Sequence, residues 1–441
     1  MPATTRSLRT LGSVVHSANL TPHTDTLPSA PTHNPPWLFG LLVLPYGFTG
    51  TITSLLMPYL LRKYGMPVDR IAGIVAIAIL PSIWSFFWAP LADTGLRRRS
   101  WVIVSAVCAS AAMTTAILDI HGPPAILTAL LFLGNAFTGL LSAACGALLS
   151  ALPETVRGRA AGWYQAGNIG AGTLGGGLAI SLGDHTSLPI LAMTVAAAML
   201  LPALAALLVQ EAAPIQRALG PQLLGMAHDL RDLLKSRRTW LGLVFFLSPV
   251  GTMAIGNLIS GVGQDYHASG NQVALFTGVI GGCLSAAGCF VGGFMADRMS
   301  RMKAYALTGG LTAIFGAWLA LGPATPFTFA AAFSGYSLVA GIAYAVYTAL
   351  LLDVVGKSQR AAAFAYSVLN GSGNAAIAYM VWLDGLGYKR WGARGLMGVD
   401  TVATAGGALI LLMVAIFAGH HWHHRNDAPS ATTPDRTALT G

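Results

Sequence analysis

The sequence predicts an all-α membrane protein of twelve transmembrane helices, built as two similar bundles of six. Three observations carry the prediction. First, of 441 residues, 54% are hydrophobic and only 9% charged. A soluble domain carries about 25% charged residues, so most of this chain's surface has to face lipid. Second, the apolar residues fall in successive runs, each near the ~20 residues that a helix needs to cross ~30 Å of hydrocarbon. Third, a charged turn recurs. Ala89-Pro90-Leu91-Ala92-Asp93-Thr94-Gly95-Leu96-Arg97-Arg98-Arg99 comes back as Gly293-Phe294-Met295-Ala296-Asp297-Arg298-Met299-Ser300-Arg301-Met302-Lys303, its Asp 204 residues further on (297 − 93).

Taken in order, residues 1–36 are rich in Thr, Pro, Ser and His and read as a disordered tail, without the apolar core of a signal peptide. Helices 1 and 2 are expected at 37–60 and 71–92. Pro45, Pro58, Pro81 and Pro90 fall within or at the ends of these runs, and spanning helices tolerate such breaks where neighbours re-satisfy the freed carbonyls. After the first charged turn come helices 3 (101–119) and 4 (124–149). A second turn, running from Pro153 to Gly162, leads into helix 5 (159–181), and helix 6 (187–209) carries Pro202.

Residues 210–239 form the longest polar interruption. Leu223, Leu224, Met226, Ala227, Leu230, Leu233 and Leu234 share one helical face, and His228, Asp229, Arg231, Asp232 and Lys235 the other. That pattern predicts an amphipathic helix lying at the membrane surface, joining an N-terminal bundle (37–209) to a C-terminal one (240–419). Helices 7 (240–262, with Pro249), 8 (271–295), 9 (303–321) and 10 (325–352) follow. The turn from Gly356 to Ala363 repeats the one before helix 5, with Arg159 and Arg360 201 residues apart (360 − 159). Helices 11 (360–383) and 12 (398–419) close the bundle, and 420–441 is a polar tail. Its His420, His421, His423 and His424 read as solvated, since no Cys or carboxylate joins them to make a metal site.

The 25 basic residues fix the orientation. With the N-terminal tail in the cytoplasm, nineteen fall on the cytoplasmic side. Six fall opposite: Arg62, Lys63, Arg70, Lys389, Arg390 and Arg394. Both termini are therefore expected in the cytoplasm. The net charge of +9 follows from this topology, and no solvated basic face for nucleic acid remains. Cys108, Cys145, Cys283 and Cys289 lie inside apolar runs at no metal-ligand spacing and read as small buried side chains. No H-E-x-x-H, paired carboxylates at depth or nucleophile–base pair suggests an enzyme, and no Walker motif suggests an ATP-driven pump. No cofactor is expected.

Six plus six helices, a long central loop, and Asp-plus-basic turns after helices 2 and 8 resemble the major facilitator superfamily, whose signature is roughly G-x-L-A-D-R-x-G-R-R/K. The second copy keeps Gly293, Ala296, Asp297, Arg298 and Arg301, with Ser300 for Gly. In the first, Ala89 replaces the leading Gly and Gly95 sits one place early. Within that superfamily, Trp84-Ser85-Phe86-Phe87-Trp88-Ala89-Pro90-Leu91-Ala92-Asp93 followed by Arg97-Arg98-Arg99-Ser100-Trp101 looks like the branch of muropeptide permeases and acetyl-CoA transporters, with siderophore importers among its relatives.

The resemblance implies a secondary transporter or facilitator. It would be a monomer in a bacterial inner membrane, moving a small organic solute such as a muropeptide, siderophore, sugar or drug by alternating access. A transport-dead receptor or scaffold on the same fold is the alternative. It implies that Asp93 and Asp297, with Arg97, Arg98, Arg99, Arg298 and Arg301, form gating loops, each Asp latching onto a helix N-terminus such as that near Arg360–Ala363. It implies that helices 1, 4, 7 and 10 line the solute cavity. Their polar residues are Tyr46, Thr49, Thr51, Thr53 and Ser54; Asn135, Thr138 and Ser142; Asn257, Ser260 and Gln264; Tyr336, Tyr344, Tyr347 and Thr348. Helices 5 and 8, with Gly172 and Gly176, and Gly278, Gly282, Gly288 and Gly292, are expected to meet across the halves through a glycine seam. No titratable side chain is expected at mid-membrane. Proton coupling would then fall to a mouth-level group, Asp119 or Asp265, with facilitated diffusion beside it, and the missing cation argues for a neutral, aromatic or sugar-like solute.

Overall fold

A computed structural model describes residues 34–92, 95–211, 219–355 and 362–426. Every regular element among them is helical, as it must be where lipid offers the backbone no partners. Among the described residues, eight stretches are long and apolar enough to span on their own. One of these, Ala365–Ile416, is two helices parted at Gly392, which has φ +65°. Helices 2 and 7, which are broken, and helix 5 (Glu154–His185), which is rich in glycine, complete the twelve.

Helix 1 is Pro36–Lys63, with one π-helical turn at Ile52–Leu56. Helix 2 is Val68–Ala78 and Ser85–Ala92, interrupted at Pro81. Helices 3, 4 and 6 are Arg98–Leu118, Pro124–Ser150 and Leu188–Leu208. Helix 8 is Gly270–Ala296, with a π-helical stretch at Ala274–Ile280, and helices 9 and 10 are Arg301–Leu321 and Pro326–Val355. Pro36, Pro124 and Pro326 open their helices, where a missing N–H leaves no bond unmade. In the linker, Leu219–Leu234 is helical with Leu224 exposed. There Lys235 donates to Asp232 at 2.8 Å and holds that carboxyl below its usual range.

Two expectations need correction. Helix 7 is not continuous over 240–262. It runs as Arg237–Phe246, unwinds, and resumes as short turns from Ala254 to Tyr266. The unwound segment has Gly251 at φ +76° and Met253 at φ 49°. Pro249 cannot donate to the helical ladder, and Gly251 meets the left-handed turn without steric cost. Residues 384–397, expected as a loop, are helical up to and beyond the break at Gly392. Their Lys, Arg and Gly made them read as a connection, but the helices project further.

The core has three parts, and their placement defines the state of the molecule. We call the face carrying residues 97–99 and 299–301 the basic face, and its opposite the far face. One buried apolar cluster near the far face contains residues of both halves, among them Leu60, Ile71 and Ile180 with Ile259, Phe329 and Val381. Toward the basic face each half has its own cluster. One is built on Phe39, Leu141 and Val156, the other on Phe246, Tyr305 and Val346. The apolar clusters of the halves are thus shared on the far side and separate toward the basic side, although helices 2 and 11 also touch where Gly371 packs on the Ile83 carbonyl.

Candidate substrate cavity and gates

Where the halves part, at mid-span, lies a cavity of about 550 Å³. Helix 1 contributes Tyr46, Thr51 and Ser54, and helix 4 contributes Asn135. Asn168 comes from helix 5, Met253 and Asn257 from helix 7, and Thr277 and Ser285 from helix 8. Phe333, Tyr336 and Tyr344 come from helix 10, and Asn370 and Asn374 from helix 11. An adjoining chamber of about 390 Å³ shares Tyr344, Asn370 and Asn374 and reaches Phe246 and Tyr347. None of the described residues lining either space is charged. Amides, hydroxyls and aromatic rings make the walls. They can hydrogen-bond hydroxyls and carbonyls and stack on a ring, but offer no counter-ion to a charged ligand.

The helices deform where they meet this cavity. The π turns of helices 1 and 8 contribute Ser54, Leu55, Thr277 and Gly278, and the unwound part of helix 7 contributes Met253 and, in the adjoining chamber, Val250–Thr252. Irregular backbone at membrane depth is tolerated where it lines a cavity, and π turns often mark functional sites. The Leu247 and Val250 carbonyls freed by the unwinding accept from the Tyr379 and Tyr305 hydroxyls.

Of the expected cavity residues, Tyr46, Asn135, Asn257, Tyr336 and Tyr344 line the main space, and Tyr347 lines its neighbour. Asn135 also donates to Thr53 Oγ1 at 2.9 Å. Thr49 and Thr138 are buried and donate to the Pro45 and Gly134 carbonyls of their own helices. Gln264 sits in the last turn of helix 7, away from both spaces.

The far face is closed by bonds between the halves. Arg62 of helix 1 pairs with Asp265 of helix 7 at 3.2 Å, and Tyr388 of helix 11 donates to both Asp265 oxygens at 3.1 Å. Ser260 donates to the Leu55 carbonyl at 2.7 Å. Asp265, one candidate proton carrier, is therefore held in an ion pair. The other, Asp119, ends helix 3 beside the turn at Gly122.

On the basic face the repeat in the sequence is a repeat in bonding. Arg98 Nη1 donates to the Ala147 carbonyl at 3.2 Å, and Arg301 Nη1 to the Ala349 carbonyl at 3.2 Å. Each clamps the start of one helix to the end of the next. Arg301 also pairs with Asp353. Glu211, from the linker, accepts from the Arg98 and Arg99 backbone amides at 3.1 and 3.2 Å, a carboxylate at the positive end of helix 3. Arg97 is exposed, and Arg298 lies over the Phe294 ring at 3.5 Å. Asp93, residues 356–361 and the Asp297 side chain, which would form the expected latches, lie outside the described residues.

The glycines make close contacts within each half, and helices 5 and 8 also meet across the halves through glycine, as expected. A Cβ on Gly288 or Gly292 would collide with the Leu338 or Ile342 carbonyl oxygen of helix 10, and one on Gly176 would stand 2.8 Å from Leu55 of helix 1. These pairs close contacts within a half. Across the halves, Gly177 meets Ala274 and Gly278, with a Cβ 3.0 Å from the Ala274 carbonyl oxygen.

Sequence reasoning missed two buried acids. Asp384, expected at a helix end, is 0% exposed, and Asp400 is 1% exposed. Reading helices 11 and 12 as ending at 383 and starting at 398 hid them. The signal was there, since a break needing one glycine leaves both acids inside the hydrophobic span.

Two six-helix bundles around a mid-span cavity are the architecture of a solute transporter. The family model described as "Major Facilitator Superfamily" matches residues 38–378 and 241–437, and the chain belongs to that family. The fold is similar to solved structures of a point mutant of the nucleoside transporter NupG and of a D-xylose-proton symporter. The first is 16% identical, with TM-score 0.68, covering 86% of this chain and 98% of that one. The second is 14% identical, with TM-score 0.67, covering 85% and 96%.

Proposed function

We propose that this protein carries a neutral, hydroxylated, ring-bearing solute of nucleoside or sugar size across a bacterial inner membrane by alternating access. The observation that carries the reading is the cavity. It has about 550 Å³, and its described lining has five asparagines, three tyrosines and no charged side chain. That volume falls in the range of small-molecule sites, and a buried charge without a partner would be heavily penalised there. Nucleoside and xylose, named for the two structural neighbours, are solutes of this chemistry. A muropeptide or acetyl-CoA, large and anionic, has no counter-ion in the cavity.

The basic face is read as cytoplasmic because the sequence assigns nineteen of 25 Lys and Arg residues to that side, which puts both termini inside. The ion-paired far face and the separate apolar clusters of the basic side support reading the molecule as a carrier open toward the cytoplasm. The bundles are 37–209 and 240–419, acting together as a monomer.

The test is a thermal-shift screen of the purified protein against nucleosides, sugars, muropeptides, siderophores and drugs, followed by uptake into proteoliposomes. A ligand that binds only the folded state raises its melting point. A neutral ring-bearing hit that is also taken up supports the reading. A hit confined to anionic muropeptides overturns the solute class. Binding without uptake favours the receptor alternative.

A further inference from the structure

Asp384 and Asp400 face each other across the hairpin of helices 11 and 12. Gly387 packs on Gly395 and Val399, with a Cβ 2.7 Å from the Gly395 carbonyl oxygen and 2.8 Å from Val399 Cγ2. That antiparallel register brings 384 opposite 400. The two carboxyl groups lie within electrostatic reach of each other. Both Asp384 oxygens and Asp400 Oδ1 are buried without a hydrogen-bond partner among the described residues. A third orphan stands with them. The Tyr336 hydroxyl, on a side chain 1% exposed, feels both acids and makes no hydrogen bond of acceptable geometry, although it approaches the Ile255 backbone. Native proteins leave few such groups, and three around one point need a reason.

No cation supplies it. Helix 10 presents Tyr336. From helix 2 come Asp69 and Arg70, and from helix 7 Asp265 and Tyr266. The hairpin itself carries Tyr388, Lys389, Arg390 and Arg394. Arg62 is committed to Asp265, Arg394 lies near Tyr266, and Arg390 lies over Trp391. Among the described residues, the two acids and Tyr336 are the groups that act on one another at this point. Two adjacent carboxylates without a counter-ion would be prohibitive in hydrocarbon, so at least one proton must be present. Intramembrane acids of this kind mark proton pathways.

We infer that Asp384 and Asp400 form a shared proton-binding site, reached from the solute cavity through the Tyr336 hydroxyl, and that its loading is tied to closure of the far face. Tyr336 belongs to both places, lining the cavity with its buried hydroxyl within electrostatic reach of the acids. The tie to the far face is structural. Tyr388, which holds the Arg62–Asp265 pair, is four residues from Asp384 on the same helical face. Gly385 packs on helix 2 of the other half, where a Cβ would collide with Ala72 Cβ and stand 3.3 Å from the Asp69 carbonyl oxygen. Opening the far face strips this cover and lets water reach the acids. One proton is then taken from the far side by the Asp pair, and after reclosure it leaves through Tyr336 and the cavity to the basic side. Net transfer is one proton, with no other reactant.

This rests on the transporter reading, but its first test does not. Infrared difference spectroscopy on the full-length protein in nanodiscs, in potassium buffer, follows the carboxylic-acid C=O stretch. Solvated carboxyls titrate near pH ~4. We expect a protonated-carboxyl band that persists at neutral pH, disappears at alkaline pH, is lost in D384N/D400N, and shifts in Y336F. Absence of the band in the wild type at neutral pH overturns the site without any variant. Its persistence in the double variant places the proton elsewhere and also overturns it. Loss of the band on adding sodium at constant pH would make the site a metal-cation site instead. With a solute in hand, D400N should lose uptake driven by a pH gradient while keeping solute exchange. Loss of exchange as well would mark a structural role and refute the coupling.

Discussion

Removing the far-face ion pair gives a prediction whose size follows from the geometry. Arg62 and Asp265 side chains are 24% and 25% exposed and 3.2 Å apart, so the pair is worth ~0.2–1 kcal/mol, as expected near a surface. The Arg62 guanidinium also sits 5.7 Å from the Tyr388 ring centre, adding ~0.5–1 kcal/mol. Arg62→Ala therefore weakens far-face closure by about 1–2 kcal/mol, a factor of about 5–30 in the closed-to-open ratio. Asp265→Ala also orphans the Tyr388 hydroxyl and should do more. The readout is the rate at which a membrane-impermeant maleimide, added from the far side, labels Ser54→Cys in a protein lacking its native cysteines. Ser54 lines the cavity, so its labelling reports far-side opening. We expect the rate to rise by that factor in R62A and further in D265A. An unchanged rate in both variants would refute the pair as a gate.

The basic-face clamps predict that Arg98→Ala and Arg301→Ala each lower stability by ~1.5–3 kcal/mol, the worth of a charged hydrogen bond, read as a lower melting point in detergent. Gly288→Val and Gly292→Val must push helix 10 aside and should cost ~1–3 kcal/mol or more, with reduced monodisperse yield. Gly293→Ala has nothing within 4 Å and should be neutral by the same measure. Asn257→Ala and Tyr344→Ala remove a polar and an aromatic wall of the cavity. They should weaken solute binding by ~0.5–1.5 kcal/mol in ligand titrations, with the melting point of the free protein unchanged.

Much of this architecture could be read in the residues because lipid imposes one rule. Apolar runs near 20 residues have to be helices, and Lys and Arg mark the turns between them. The Asp-plus-basic repeat also carried real information, since Arg98 and Arg301 make the same clamp in the two halves. What periodicity could not convey was deviation from the regular helix. The unwinding after Phe246 depends on Pro249 and Gly251 acting together, and hydropathy does not register it. The Gly392 break is so brief that flanking Lys, Arg and Gly looked like a long loop, which misplaced Asp384 and hid Asp400. For the cavity, Tyr46, Asn135, Asn257, Tyr336 and Tyr344 could be picked out from their helices. Helix rotation decided the rest, turning Thr49 and Thr138 onto their own carbonyls. Asn168 and Asn370 repeat 202 residues apart (370 − 168), but their place in the cavity follows only from how helices 5 and 11 pack.

Alternating access requires the halves to rock about the cavity. Spin labels at Ala125→Cys and Lys389→Cys report the far face, and labels at Arg97→Cys and Ser300→Cys report the basic face, all in a cysteine-free background. On adding a transported solute, double electron–electron resonance should record the two distance distributions moving in opposite senses, with new populations wider on the far face and narrower on the basic face. Two distributions that stay fixed, or that widen and narrow together, would contradict it.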